Sequence, residues 1–225
     1  MPALPSILCA SGLAAEARIA RAAGLHTIVG AGNPRRIAEL VAASAQKATC
    51  LVSFGVAGGL APHLAPGDVI LSTEVFADDR CWRPDPRFAA DIAALARRIG
   101  ATAGAVLGAA TILATAADKR RAWEDTGALA ADLESAAVAR AAAAAGIPFL
   151  VLRTIADPAL RALPPAALIP LAADGSPAIG RVVAEVLRRP RQIAALFGLA
   201  RETRRALAAL SGAAHALRLA FAEIT

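Results

Sequence analysis

Short apolar runs alternate along the chain with longer stretches in which alanine and larger apolar residues recur at helical spacing. The apolar runs predict strands over 6–11, 27–30, 50–56, 68–75, 105–113, 128–133 and 148–155. The periodic stretches predict helices over 13–23, 34–46, 87–99, 117–124, 135–145, 177–189, 191–210 and 212–222. Strands alternating with helices imply an α/β fold whose sheet is covered on both faces. Asn33-Pro34 reads as an N-cap and first helical residue. Gly146, followed by Pro148, closes a helix ahead of FLVLRTI. The Pro-rich stretch 156–170 reads as a loop. No repeat or linker divides the chain, so 1–225 is expected to be one domain with a basic, apolar helical part over 177–225.

Composition narrows the class. At 57% hydrophobic and 19% charged, the 225 residues can bury a full core. Cys9, Cys50 and Cys81 show no CxxC spacing and are read as reduced thiols of a cytoplasmic protein. No basic segment precedes an apolar stretch at the N-terminus, so no secretory signal is expected. No window approaches the roughly 18 apolar residues that a spanning helix needs. His26, His63 and His215 are too scattered for a metal cluster, and no metal or other cofactor is expected.

Charge is uneven. The net is +6, and residues 181–225 hold eight arginines against Glu185, Glu202 and Glu223. The same segment carries Ile193, Leu196, Phe197, Leu207 and Leu217. A solvated helix face is the plain reading. The sharper one is peripheral contact with an anionic membrane, on the inner face of the cytoplasmic membrane. Nucleic acid is not expected, because aromatics for stacking are scarce and no reading motif occurs.

Candidate chemistry begins with LVSFGVAGGL, residues 51–60, where glycines end a strand-like run. Ligands of open α/β sheets lie beyond such strand ends, and glycine lets the backbone approach them. The stretch is neither GxGxxG nor a P-loop, which disfavours dinucleotides and nucleoside triphosphates. Glu16, Glu134 and Asp157 each end an apolar run. One such acid is ordinarily a cap or a solvated loop residue. Three of them with a glycine loop would converge on one cleft and suit general acid–base work.

The stretch SFGVAGGLAPHLAPGDVILSTEV resembles the glycine loop and Gly-Asp strand of the purine nucleoside phosphorylase and methylthioadenosine/adenosylhomocysteine nucleosidase superfamily. ADLESAAVARAAAAAGIPFLVLRTIADPA resembles its second signature. SGLAAEARIA, ATAADK and the tail RVVAEVLRRPRQIAALFGLARETRRA are most similar to the hopanoid-associated phosphorylases, a branch taken to remove adenine from adenosylhopane.

The resemblance implies a three-layer α/β/α sandwich around a central mixed sheet, and cleavage of an N-ribosidic bond. By the match, Asp157 protonates adenine at N7, Glu134 grips the ribose hydroxyls and Glu16 activates water. Arg153 is the strand arginine that orients the acids, and Leu133 stands where nucleosidases have a methionine against the sugar. Val56, Ala57 and Gly58 are the glycine-loop contacts to substrate; the family's purine-stacking aromatic has no clear counterpart near ILATAADKRR, and Phe54 could take its place or equally belong to the core. Gly30, Gly32, Asn33 and Arg35 of GAGNPRR match the loop facing the nucleophile, which leaves phosphate open as a co-substrate. Two departures stand out. Ala156 replaces a serine that bonds the catalytic acid, and a hairpin between Glu16 and TIVGAG is missing. The expected substrate is an adenine-nucleoside lipid. The alternatives are a soluble purine nucleosidase or a non-catalytic purine- or lipid-binding protein. Relatives imply a homo-oligomer, with a dimer expected.

Overall fold

The computed structural model describes residues 7–44, 48–84 and 92–224. Residue 6 of the first predicted strand, and residues 45–46 and 87–91 of two predicted helices, lie outside that description. Eight strands form one mixed sheet: β1 (Ile7–Ser11), β2 (His26–Val29), β3 (Cys50–Gly59), β4 (Val69–Ala77), β5 (Arg80–Trp82), β6 (Thr102–Gly108), β7 (Ala130–Asp132) and β8 (Phe149–Asp157). The helices are α1 (Ala14–Ala22), α2 (Pro34–Ser44), α3 (Ile92–Arg98), α4 (Ala116–Thr126), α5 (Ser135–Ala145), α6 (Ile179–Arg188) and α7 (Ile193–Ile224).

The apolar side chains fall into two clusters, one on each face of the sheet. One joins α1, α3 and α7 to the sheet through Ala20, Leu95, Leu210, Leu217 and Phe221. The other joins α2 and α5 through Ile37, Val41, Val138 and Ala142. This is the α/β/α arrangement that the alternation of patterns implied.

One topological detail positions everything that follows. Strand β8 runs parallel along one edge of β3 from Leu51 to Gly58. The other edge of β3 is shared. Strand β1 pairs with Cys50–Ser53, and β7 pairs antiparallel with Gly58 and Gly59. Between them the sheet splays, and residues 54–57 have no strand partner on that side. A ladder interrupted in this way leaves backbone donors that something else must satisfy. A bulge follows on β8: Ala57 faces Ile155 but Gly58 faces Asp157, so Ala156 is the extra residue.

The missing hairpin is visible as a short link. Only residues 23–25 separate α1 from β2. Several elements differ from the pattern: β5 (Arg80–Trp82) is a strand where none is predicted, and β3 and β8 run on to Gly59 and Asp157 past the predicted ends at 56 and 155. The run at 105–113 is a strand only to Gly108, because Ala109 turns away after bonding Asp132 O at 2.7 Å. Ala109, Ile112 and Leu113 are apolar because they wall a cavity, not because they lie in a sheet. Gly212 does not end a helix either. α7 is one helix of 32 residues, held by the buried line Leu210, Ala213, Ala214, Leu217 and Phe221, whose packing outweighs the cost of one glycine. The Pro-rich stretch contains the end of β8 and a 3-10 turn, Pro165–Leu168.

Two glycine substitutions should move stability in opposite directions. In Gly108→Ala the new methyl would stand 2.4 Å from Ala136 Cβ and 2.8 Å from its backbone nitrogen, so α5 must shift. A loss of about 1–3 kcal/mol is expected. Gly212 is exposed and nothing lies within 4 Å of the position its Cβ would take, so Gly212→Ala should gain about 0.5–1 kcal/mol. Thermal denaturation of the two variants checks both signs.

Candidate active site

The splay in β3 is filled by Glu16. This residue lies in the first turn of α1, directly after β1, and is 2% exposed. Its Oε1 accepts from Val56 N at 2.8 Å, the donor that no strand satisfies. Its Oε2 accepts from Gly12 N at 2.9 Å and Leu13 N at 2.7 Å, which makes it the polar cap that Leu13 cannot be. Burial pushes the Glu16 carboxyl above its ordinary range, against the pull of Arg153 and these three N–H groups.

Arg153 lies under the same spot, wholly buried on β8. Its Nε is 2.8 Å from Asp132 Oδ2, an ion pair whose N–H is not aligned for a hydrogen bond. Its Nη2 donates to Ser53 Oγ at 2.6 Å and lies 3.5 Å from Glu134 Oε2. Burial opposes its charge, but Asp132, Glu134 and Glu16 outweigh burial and hold the guanidinium above its ordinary range. Asp132 also accepts from Glu134 N at 2.8 Å and Ser135 N at 2.7 Å, so it closes the start of α5 and fixes Glu134 there. Desolvation drives the Glu134 carboxyl up to about 7. Arg153 lowers it, and Asp132 and Glu16 raise it further.

The third acid is held differently. Asp157 ends β8 just past the bulge, and its Oδ2 takes a short ion pair from Lys119 of α4. Lys119 is 1% exposed and also donates to Pro158 O at 3.1 Å and Arg161 O at 3.0 Å. Burial raises the Asp157 carboxyl and Lys119 opposes it, with a net upward shift. Asp157 Oδ1 makes no hydrogen bond among the described residues.

Glu16, Glu134 and Asp157 line one cavity of about 400 Å³, together with Leu133, Val56, Ala57, Gly58, Gly32, Asp132 and Lys119. Its outer wall is apolar, with Ile112, Leu113, Leu163, Leu168, Ile169 and Leu171. Glycine makes room for the acids. A Cβ on Gly55 would stand 2.5 Å from Glu16 Oε1 and 2.7 Å from Arg153 Nη1, and one on Gly12 would stand 2.5 Å from Glu134 Oε1.

Several sequence expectations need correction. Phe54 is no stacking residue: it points into the core cluster with α7 and reaches neither cavity. No aromatic side chain lines the acid cavity among the described residues. Arg153 does not line it either; it sits behind the acids and cannot touch a ligand there directly. Gly30, Asn33 and Arg35 line a neighbouring concavity of about 1050 Å³, and of that loop's named residues only Gly32 borders both. Asn33 caps α2 as expected, accepting from Arg35 N at 3.0 Å and Arg36 N at 3.2 Å. Those donors are therefore already used. Cys9 is buried, and burial raises its thiol well away from thiolate formation.

Lys119 and Asp132 were missed as site residues. Lys119 sits in a charged helix, AADKRRAWED, that reads as solvated, and only the fold turns it inward. Asp132 had a signal: an Asp three residues before a helix start can accept from the backbone N–H groups that open the helix.

Ionising Glu134 costs the fold stability. The unfolded carboxyl releases its proton near 4.5 and the folded one only near 7, so the unfolded state gains as pH rises through that window. Stability should therefore fall between pH 4.5 and 7. Glu134→Gln should flatten that fall, which denaturant melts across pH will measure.

The profile of the Phosphorylase superfamily matches residues 26–188. Among solved structures, S-adenosylhomocysteine nucleosidase from Streptococcus pyogenes is similar at 17% identity over 96% of this chain and 98% of that one, with a TM-score of 0.63. The 5′-methylthioadenosine/S-adenosylhomocysteine nucleosidase of Neisseria meningitidis is 15% identical over 96% and 100%, with a TM-score of 0.64. Futalosine hydrolase of Helicobacter pylori is 15% identical over 69% and 88%, with a TM-score of 0.56. No curated protein matches. These structures share the mixed α/β fold, and with the profile covering well over half of the residues, the chain belongs to the phosphorylase superfamily.

Proposed function

We propose that this nucleoside-cleaving enzyme hydrolyses the N-ribosidic bond of adenosylhopane, releasing adenine and a ribosyl hopanoid. The observation that carries the reaction is the convergence of Glu16, Glu134 and Asp157 on one cavity. The apolar outer wall and the short α1–β2 link support a bulky apolar 5′ substituent, as does the resemblance of the tail to the hopanoid-associated branch.

Breaking the bond builds positive charge on the sugar and negative charge on the purine. Asp157 supplies the proton to N7 from Oδ1, while Lys119 holds Oδ2. Carboxylate charge appears on Asp157 as the proton leaves, and the Lys119 ammonium stabilises it most at that moment. That is transition-state stabilisation, and it fills the role left open by Ala156. Glu134 accepts hydrogen bonds from the ribose hydroxyls. Glu16, whose burial makes its carboxylate more basic, takes the proton of the attacking water. Water fits better than phosphate, because Asn33 already occupies the donors at the start of α2.

The test is adenine release from adenosylhopane in detergent, with and without phosphate. Release independent of phosphate is expected. Strict phosphate dependence would overturn the role of Glu16, and cleavage of methylthioadenosine alone would overturn the lipid substrate in favour of a soluble purine nucleosidase. Asp157→Asn and Glu16→Gln should each lose about 100-fold or more in kcat. Lys119→Met should also lower kcat. In addition it should move the alkaline limb of the pH–rate profile upward, because Lys119 is what draws the Asp157 carboxyl down. A lysine with only a structural role would leave that limb in place.

A further inference from the structure

Helix α6 is strongly amphipathic, yet none of its residues is buried. Val182 and Val186 are half-buried, whereas Ile179, Val183 and Leu187 stand 71%, 51% and 77% exposed. Those three recur every fourth residue and so form one line along the helix. Ile193 and Phe197, also exposed, continue the apolar surface into the start of α7. Scattered exposed leucines need no explanation, but a contiguous apolar stripe left exposed along a helix does.

Charge identifies what the stripe meets. Arg181, Arg188, Arg189 and Arg191 are exposed along and just after α6. The one acid of the helix, Glu185, is paired with Arg189 at 3.4 Å. A symmetric contact between two copies of this face would oppose its arginines to each other. A basic, apolar helix lying in the plane of an anionic bilayer satisfies both properties at once. No helix among the described residues is long and apolar enough to cross the bilayer, so the contact is peripheral.

The face is also continuous with the site. Arg181 Nη2 donates to Pro170 O at 2.9 Å, and Pro170 borders the acid cavity. The 3-10 turn Pro165–Leu168 packs under α6, and its Leu168 is both a wall of the cavity and exposed. Ile112, on the same wall, is 45% exposed. We infer that the face formed by α6 and the start of α7 docks on anionic lipid surfaces and brings the apolar mouth of the cavity against the bilayer. Delivery of the substrate's lipid part from that bilayer rests on the reading proposed above; the docking does not.

The experiment is co-sedimentation of the full chain with phosphatidylcholine vesicles, with and without phosphatidylglycerol. Binding to the anionic vesicles that weakens with salt is expected. Val183→Glu/Leu187→Glu should weaken it about tenfold or more, and Arg188→Glu/Arg191→Glu should abolish the preference for anionic lipid. All four positions are exposed and outside the cavity, so adenine release from substrate in detergent should be unchanged. Equal sedimentation of wild type and both variants would overturn the proposal. So would absence of vesicle binding in a protein whose oligomeric state, read by analytical ultracentrifugation, changes with Val183→Glu/Leu187→Glu. Vesicle binding without release of adenine from adenosylhopane would leave the docking standing and remove the substrate assignment.

Discussion

A guanidinium sealed out of water is the constraint on which the site depends. Arg153 has no exposure, and an unpaired charge in that position would cost several kcal/mol. Its surroundings are therefore prescribed. Asp132 and Glu134 approach from the start of α5, Ser53 from β3, and Glu16 from the start of α1. Each of these groups also performs a local task. Glu16 satisfies the Val56 donor left by the splay between β1 and β7, and Asp132 closes α5. The arginine thus fixes two helix starts against one strand, and two of the three cavity acids are products of that fixing.

Strand β8 then divides the cavity into two electrostatic regions. At Arg153, Glu16 and Glu134 share one cation with Asp132, and burial raises both of their carboxyls, Glu134 to about 7. Four residues on, past the bulge at Ala156, Asp157 has its own cation in Lys119. Bulges near sites commonly re-aim a side chain, and here one separates a multi-acid cluster from a single paired acid. Two carboxyls with different tasks need different environments, and one strand supplies both.

Much of this was legible in the sequence, for a physical reason. Strand periodicity and glycine mark where strands end, and acids at strand ends in an α/β sheet point toward the same rim. Glu16, Glu134 and Asp157 were found that way. The glycines of residues 51–60 suggest room for a ligand's approach, but Gly55 gives room to the protein's own Glu16, as Gly12 does to Glu134. Phe54 misled because a strand residue one step from a glycine loop has even chances of facing core or cavity. Lys119 was hidden because nothing in AADKRRAWED separates one inward lysine from its solvated neighbours. Long-range pairing, between residues 119 and 157, is the information that local pattern does not hold.

The balance of charge in the cavity bears on the nucleophile. Glu16, Asp132, Glu134 and Asp157 border it, against Lys119 on its wall and Arg153 behind. With Asp157 carrying the proton it is proposed to donate and the other groups ionised, the site is negative by one charge; with Glu134 also protonated it is balanced. With Glu134 ionised, a phosphate dianion entering the site meets repulsion in a medium that screens weakly. The arginines of the GAGNPRR loop do not relieve it, since Arg35 and Arg36 border the neighbouring concavity instead. A neutral water pays no such cost, and the cationic sugar of the transition state is favoured by the same field. The arrangement that makes Arg153 tolerable in the core therefore bears on the chemistry proposed for the site: with Glu134 ionised it disfavours an anionic nucleophile and favours the positive charge that bond cleavage would create.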